Sequence, residues 1–575
     1  MEVRISERTH PMEKDGEWFT FKDSSLGPGD DYYFVIDGLE LPDPRSNHQP
    51  EGVHGPSRIV DHGDFQWSDQ AWEGFDLSTS VLYELHIGTF SPQGTFDGAI
   101  EKLPHLVDLG VGAIELMPVA EFPGKRGWGY DGVDIYAPHH HYGGPDGLKR
   151  LVDASHAIGL GVVMDVVYNH LGPDGNYLSK FAPYFTDRYL TPWGKAVNFD
   201  DSYSNGVKNF FIDNALMWLR DYHFDGLRID AVHAIFDSSA THFLEELQLR
   251  VADLESEVGR RFFLIAESDL NDPRLIWPKE RGGYGLSAQW SDDFHHALHC
   301  VLTGERDGYY EDFGSVADLA ASICEAYVYS GRFSNFRKRN HGRKTGIDDG
   351  GRFVVYLQNH DQVGNRAKGE RISHLISNER TKIGAAIVLL SPFVPMLFHG
   401  EEWGASTPFL YFTDHEDLEL GEAVRKGRRE EFASFGWDPD EVPDPQDPAT
   451  LERSKLDWDE PLQSPHFDLL EWYRSLIKLR GKLPDLASHD LSSTKTFHSE
   501  SGWIVIERGK AVIACNFSAQ SIDLEIGTES SVMLSSAPLE IAGTAVSLPP
   551  ESVGVLEVKG FVSMSPDAEG FVTST

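Results

Sequence analysis

The hydrophobic pattern divides the chain into three regions. Over the first 75 or so residues, short strand-like pieces such as EWFTF and DYYFVID alternate with turn-rich stretches and no helical period intervenes, which predicts a small β-sandwich-like domain over residues 1–75. From Val81 onward, apolar runs of strand length alternate with segments such as TFDGAIEKLPHLVDLG, GLKRLVDASHAIGLG and GVKNFFIDNALMWLRDYH, whose apolar residues recur every three or four positions. That alternation is the mark of repeated β-α units. Eight strands stand out: VLYELHIGTF, GAIELMPV, GVVMDVVYNH, DGLRID, FFLIAES, LSAQWSDDF, FVVYLQNHD and VPMLFHGEE. Eight strands with intervening helices predict an α/β fold, a closed (β/α)8 TIM barrel with loop insertions over residues 76–485. Past about residue 485 the helical period stops. WIVIERG, AVIACNFS, IDLEIG and VGVLEV predict a C-terminal antiparallel β domain over residues 486–558, and the small polar residues beyond it predict a disordered tail over 559–575.

A barrel of this kind carries its chemistry at the C-terminal ends of its strands. Three carboxylates occupy such ends: Asp230 in FDGLRID, Glu267 in LIAES and Asp361 in QNHDQVGN. Glycosidic cleavage needs one carboxyl group to protonate the leaving oxygen and another to attack or stabilise the sugar cation. Arg228 and Asp230 lie two residues apart on one strand and so share a face, where the guanidinium favours the ionised form a nucleophile requires; a plain buried ion pair would look the same. The apolar run before Glu267 desolvates it and holds its proton, as a general acid requires. Asp361, beside His360, either meets sugar hydroxyls or caps the following helix, and His170 at the end of DVVYNH is placed to donate to a hexose hydroxyl.

DVVYNH, GLRIDAVH, LIAES and QNHDQVGN, in that order and spacing, resemble the four signature segments of the alpha-amylase superfamily of glycoside hydrolases and transglycosidases. The resemblance implies a retaining double displacement with Asp230 as nucleophile, Glu267 as acid/base and Asp361 as transition-state stabiliser. Arg228, His170 and His360 would contact the sugar whose bond is cut, with Tyr130 of WGYDGVDIYAP stacking on it and Asp131 nearby. Within the superfamily, WSDDFHHALHCVLTGERDGYY, the segment from Phe398 to Phe432 and VPDPQDPATLERSKLDW resemble the malto-oligosyltrehalose trehalohydrolases. That family hydrolyses the α-1,4 bond next to the terminal trehalose of a malto-oligosyl trehalose. Polar groups must then read the leaving disaccharide, and Trp290, Asp292, His295 and Glu401 are the candidates. Such an enzyme pairs functionally with the synthase that forms trehalose at the reducing end of a maltodextrin. Relative to the family, the N-terminal module reads as shortened, and MEVRIS resembles an internal strand. A glucan branching enzyme is the enzymatic alternative, and a non-catalytic glucan-binding protein is the alternative outside enzymes.

Composition narrows the partners. The 50 lysines and arginines against 91 aspartates and glutamates give a net charge of −41, which argues against nucleic acid and for a neutral ligand. Cys300, Cys324 and Cys515 are too scattered for a CxxC site, the N-terminus lacks an apolar leader, and the longest apolar stretch, Ile383 to Phe398, is broken by two prolines; a cytoplasmic protein with no membrane attachment is expected. Asp292, Asp293, His295, His296 and His299 form an acid and histidine run, and Asn169 resembles a calcium-binding position of some amylases, but no metal or other cofactor is expected. The run His139 to His141 reads as surface.

Overall fold

The computed structural model describes residues 1–16, 18–433, 442–564 and 570–573. Its centre is a closed parallel barrel whose strands follow one another in chain order: β1 (Leu82–Leu85), β2 (Ala113–Leu116), β3 (Gly161–Val166), β4 (Gly226–Ile229), β5 (Phe263–Ala266), β6 (Ala288–Trp290), β7 (Phe353–Tyr356) and β8 (Val394–Phe398). All eight segments nominated from the sequence supply a strand. The first is shorter than its apolar run suggests, because Ile87–Phe90 turns into a helix. Outer helices include α1 (Leu103–Leu109), α2 (Gly144–Ala157), α3 (Ser204–Asp221), α4 (Phe243–Val258), α5 (Asp292–Thr303), α6 (Asn378–Leu390) and, after β8, α7 (His466–Lys482). Between β5 and β6 the crossover uses two 3-10 turns instead of an α-helix.

Local chemistry sets these boundaries. Ser377 caps α6 by accepting from the Arg380 amide, and Gly259 ends α4 in the left-handed conformation. Gly110 ends α1 at φ 97° and lies so near α7 that an added Cβ would sit 2.8 Å from Ile477 Cγ2, so only glycine gives both the turn and the close packing. At the same end of the barrel the carbonyls closing α6 are held by buried arginines. Arg480 donates to Leu389 O, Ser391 O and Phe393 O, and Arg508 of the C-terminal sheet donates to Leu390 O and Ser391 O. The C-terminal β unit is thereby tied to the barrel wall.

Strand register explains the interior. Because alternate residues face inward, Leu82, Ala113, Val163, Ile265, Ala288, Val354, Val394 and Met396 form a dry lower layer. Two positions further along several of the same strands come Glu84, Glu115, Asp165 and Glu267. The fold thus changes from hydrocarbon to charge within one step of the strand.

The N-terminal unit is a five-stranded antiparallel sheet with an additional two-stranded hairpin, Glu13–Asp15 with Trp18–Thr20. Glu2–Ile5 lies between Arg8–Pro11 and Asp31–Ile36, so MEVRIS is an internal strand of that sheet. The C-terminal unit packs a six-stranded sheet and a three-stranded sheet around Val505, Val512, Leu524, Val546 and Leu556. Of the tail expected to be disordered, residues 565–569, 574 and 575 lie outside the described residues. Gly570–Thr573 instead pairs antiparallel with Thr494–Ser499, whose free edge accepts the β-prone FVT sequence.

Candidate active site

Arg228 organises the upper layer. Its Nη1 donates to both oxygens of Asp165 (2.9 and 2.7 Å) and to Oδ1 of Asp230 (2.9 Å), while Nη2 lies 3.7 Å from Oε2 of Glu267. The guanidinium rests on the Trp290 ring, 4.2 Å from its centroid, with no water-facing surface of its own. One fully buried cation therefore holds three carboxyl groups from three neighbouring strand ends.

Those groups have different fates. Burial is the largest influence on Asp230 and pushes its pKa up, but the opposing Arg228 charge, His170 and the 2.7 Å hydrogen bond from Asn169 Nδ2 together hold it below the ordinary carboxylate value. For Glu267, burial dominates, and the nearby charges of Asp230, Asp292 and Asp361 add to it, so its pKa lies well above the ordinary value despite Arg228. Glu267 Oε2 also accepts from the Ala231 amide. The two neighbouring carboxyl groups are thus pushed in opposite directions, Asp230 toward its ionised form and Glu267 toward its protonated one. Burial likewise pushes Asp165 up to about 6, against the pull of Arg228.

A second chain of contacts starts at Glu84. Its oxygens accept from the His360 amide (2.9 Å) and pair with His360 Nδ1 (2.5 Å); His360 Nε2 meets Tyr130 Oη at 2.7 Å and lies 3.5 Å from Asp361 Oδ2. Burial lowers the His360 pKa, but Asp361 and Glu84 outweigh it and raise it to about 9, so this ring is an imidazolium. Tyr130 donates to Asp165 Oδ2 at 2.6 Å and stacks on His360, which fixes its ring at the pocket wall. Asp361 itself is open, with 43% of its side chain exposed, because Asn359 and not Asp361 accepts from the Gln362 amide as the helix cap. His170 is oriented by Asn169 Oδ1 and the Tyr130 carbonyl, and Asp131 lies 3.8 Å from His415.

The residues nominated for reading a leaving group separate. Asp292 stays at the pocket, bonded to Tyr356 Oη and raised to about 6 chiefly by burial, with the charges of Asp269 and Asp361 adding to it. Trp290 is the floor beneath Arg228 and is 2% exposed. His295 and Glu401 do not reach the site. Both ring nitrogens of His295 are engaged inside the α5 packing, by Leu357 O and Tyr310 Oη, and Glu401 is buried against α7 with Tyr473 Oη at 3.1 Å. The His295 side of α5 faces β7, where its ring stacks near Tyr356, and the turn after β8 places Glu401 against Tyr473 of α7. Asn169 spends its Nδ2 on Asp230. The surface expectation for the histidine run fails at His139, which is fully buried.

Sequence reasoning missed Asp165, Glu84 and Glu115, though a lone acid at an inward position of an apolar strand was visible in GVVMDV, LYEL and AIEL. Glu115 is the extreme case: both carboxyl oxygens are buried without a partner, and burial pushes its pKa far up. It also missed Trp193, which projects from the hairpin formed by Phe185–Thr191 and Gly194–Val197 and stacks on His170 at 4.4 Å with nearly parallel planes. A tryptophan in a loop carries no periodic signal.

Against known proteins, residues 48–193 match the family model "Alpha amylase, catalytic domain". A malto-oligosyltrehalose trehalohydrolase of Rhizobium sp. (strain M-11) is 48% identical over 547 residues, covering 94% of this chain and 92% of that one. One from Arthrobacter ramosus is 54% identical over 79% of each chain. Among solved structures, a "Putative alpha Amylase" from Salmonella typhimurium superposes with a TM-score of 0.89 at 40% identity, over 97% of this chain and 95% of that one. A 1,4-alpha-glucan branching enzyme of Corynebacterium jeikeium is more distant, at 29% identity over 66% of this chain and 55% of its own.

Proposed function

The chain belongs to the malto-oligosyltrehalose trehalohydrolase family, and from that premise we propose how its site works. The protein is a glycosidase that hydrolyses the α-1,4-glucosidic bond next to the terminal trehalose of malto-oligosyl trehalose and releases trehalose. The observation that carries the catalytic reading is the pair of carboxyl groups on Arg228, Asp230 at 2.9 Å and Glu267 at 3.7 Å, which their surroundings push in opposite directions.

In this reading Asp230 attacks the anomeric carbon while Glu267 gives its proton to the departing O4 of trehalose. A glycosyl ester on Asp230 forms and the C1–O bond breaks. Glu267, now ionised, takes a proton from water, whose oxygen attacks C1 and frees Asp230, so the configuration is retained. Asp361 and the His360 imidazolium face the sugar ring, and the open Asp361 carboxylate accepts from its hydroxyls. Tyr130 and His170 line the same sugar. Asp292 is the one nominated leaving-group contact that stays at the pocket.

The substrate is the product of a reaction that converts the reducing end of a maltodextrin into a trehalose unit, which is the functional pairing with a malto-oligosyltrehalose synthase. Among the described residues no helix is long and apolar enough to cross a membrane, and we assign the protein to the cytoplasm, where its three buried cysteines stay reduced.

Incubation with malto-oligosyl trehalose, with a plain malto-oligosaccharide of equal length and with amylose tests the reading. Selective trehalose release is expected. New α-1,6 branches on amylose without trehalose release would make it a transferase, and binding without turnover would make it a glucan-binding protein.

A further inference from the structure

The sugar-facing loop that carries Trp128, Tyr130 and Asp131 starts after Glu121, at the end of the first strand of the two-stranded sheet Ala120–Glu121 and Asp134–Pro138, and His139 directly follows the second strand. Its two ends are joined by side chains. Oε1 of Glu121 receives Nδ1 of His139 at 3.0 Å and Nδ1 of His140 at 2.8 Å, and Oε2 accepts from the His140 amide at 2.9 Å. Two imidazole nitrogens and one carboxylate oxygen thus converge, all within 4.8 Å of one another.

We propose that Glu121, His139 and His140 bind one divalent transition-metal ion of the zinc class, which staples the two ends of the Tyr130 loop. Two nitrogen ligands and one carboxylate suit zinc, cobalt or nickel and disfavour calcium and magnesium, which take oxygen ligands. Bond lengths near 2.0–2.1 Å place tetrahedral ligand atoms about 3.3 Å apart. The two measured edges at Glu121 need to open by only a few tenths of an ångström to admit the ion.

The surroundings favour that exchange. Glu121 and His139 are fully buried and rigidly placed, Glu121 on a short strand paired to Asp134–Pro138 and His139 stacked on Phe122 at 3.9 Å. His139 Nε2 is buried without a partner, so the ring is placed only by Glu121 and by its stack on Phe122. His140 is 18% exposed, which provides an entry path and a fourth position for water. His141 tilts against His140 but is not one of the converging ligands.

Calorimetric titration of the chelator-treated protein with Zn2+ tests the proposal, with Co2+ as the spectroscopic probe. One saturable equivalent is expected, with the visible bands of four-coordinate Co2+, no competition by Ca2+ or Mg2+, and a raised thermal midpoint. H140Q and E121Q should each weaken Zn2+ at least about tenfold, and H141Q should not. Retained trehalose release by H140Q separates a lost ligand from a lost fold, and zinc should slow hydrogen exchange across residues 122–138. Absence of a saturable equivalent in the unsubstituted protein, or equal affinity in H140Q, would overturn the proposal and leave the cluster a hydrogen-bonded clamp.

Discussion

The barrel interior contains two layers that differ in almost every physical respect although the same strands build both. The lower, with Leu82, Val163, Ile265, Val354 and Met396, is hydrocarbon packed without polar contact. The upper gathers Glu84, Glu115, Asp165 and Glu267, one inward position further along, and Asp230, one step beyond Arg228, around Arg228 and His360. The lower layer supplies stability through burial. The upper layer concentrates carboxyl groups whose desolvation is offset only in part by two cations, and that incomplete compensation separates Asp230 from Glu267. A site of this type needs the dry layer beneath it, since without that rigidity the acids would spread apart and solvate.

Substitutions across the boundary should therefore divide into losses of rate and losses of stability. The largest effect is expected for Asp230→Asn, which removes the proposed nucleophile and should lower kcat by at least about 10⁴-fold; steady-state release of trehalose measures it, with the circular dichroism spectrum unchanged. Glu267→Gln should lower kcat/KM by about 10² to 10⁴-fold and abolish the alkaline limb of the pH profile, which in the unsubstituted protein reports loss of the Glu267 proton. The acidic limb, set by protonation of Asp230, should remain.

Met396→Ala, in the lower layer, should do the opposite. It should cost about 2–5 kcal/mol in urea unfolding while the folded fraction keeps its kcat within a few-fold. A rate loss as large as that of Glu267→Gln would erase the distinction between the layers. The upper layer also makes stability depend on pH. His360 has a folded pKa of about 9 against an ordinary 6.5, so its contribution is fully present below pH 6.5 and is lost as pH rises through 9. Its size is at most about 3 kcal/mol, read as the difference in urea midpoint between pH 6 and pH 9.5, and His360→Asn should flatten that difference. Glu115→Gln should change least. A carboxyl group that burial pushes toward its neutral form, and that has no hydrogen-bond partner, loses little charge on becoming an amide, so activity should stay within about threefold and stability within about 1 kcal/mol.

The boundary also explains what the sequence made legible. Strand identity was readable because barrel strands are continuous apolar runs, and Asp230 and Glu267 were readable because each interrupts or ends such a run beside recognisable neighbours. Glu84 and Glu115 obey the same parity rule but lie inside their apolar runs, where no strand end or recognisable neighbour marks them. His295 and Glu401 failed for the converse reason. One lies on a helix and one in a turn, where strand parity says nothing about direction. Trp193 comes from a hairpin far from any strand end, and only the tertiary fold brings it onto His170.

The most direct test of the account is to trap the ester on Asp230. Glu267→Gln treated with an α-maltosyl fluoride bypasses the need for an acid, because fluoride leaves unaided, yet still lacks the base for the second step. Intact mass should rise by one maltosyl group, and peptide mapping should locate it on Asp230. An adduct on another residue, or rapid turnover to product of inverted configuration without any adduct, would contradict the account.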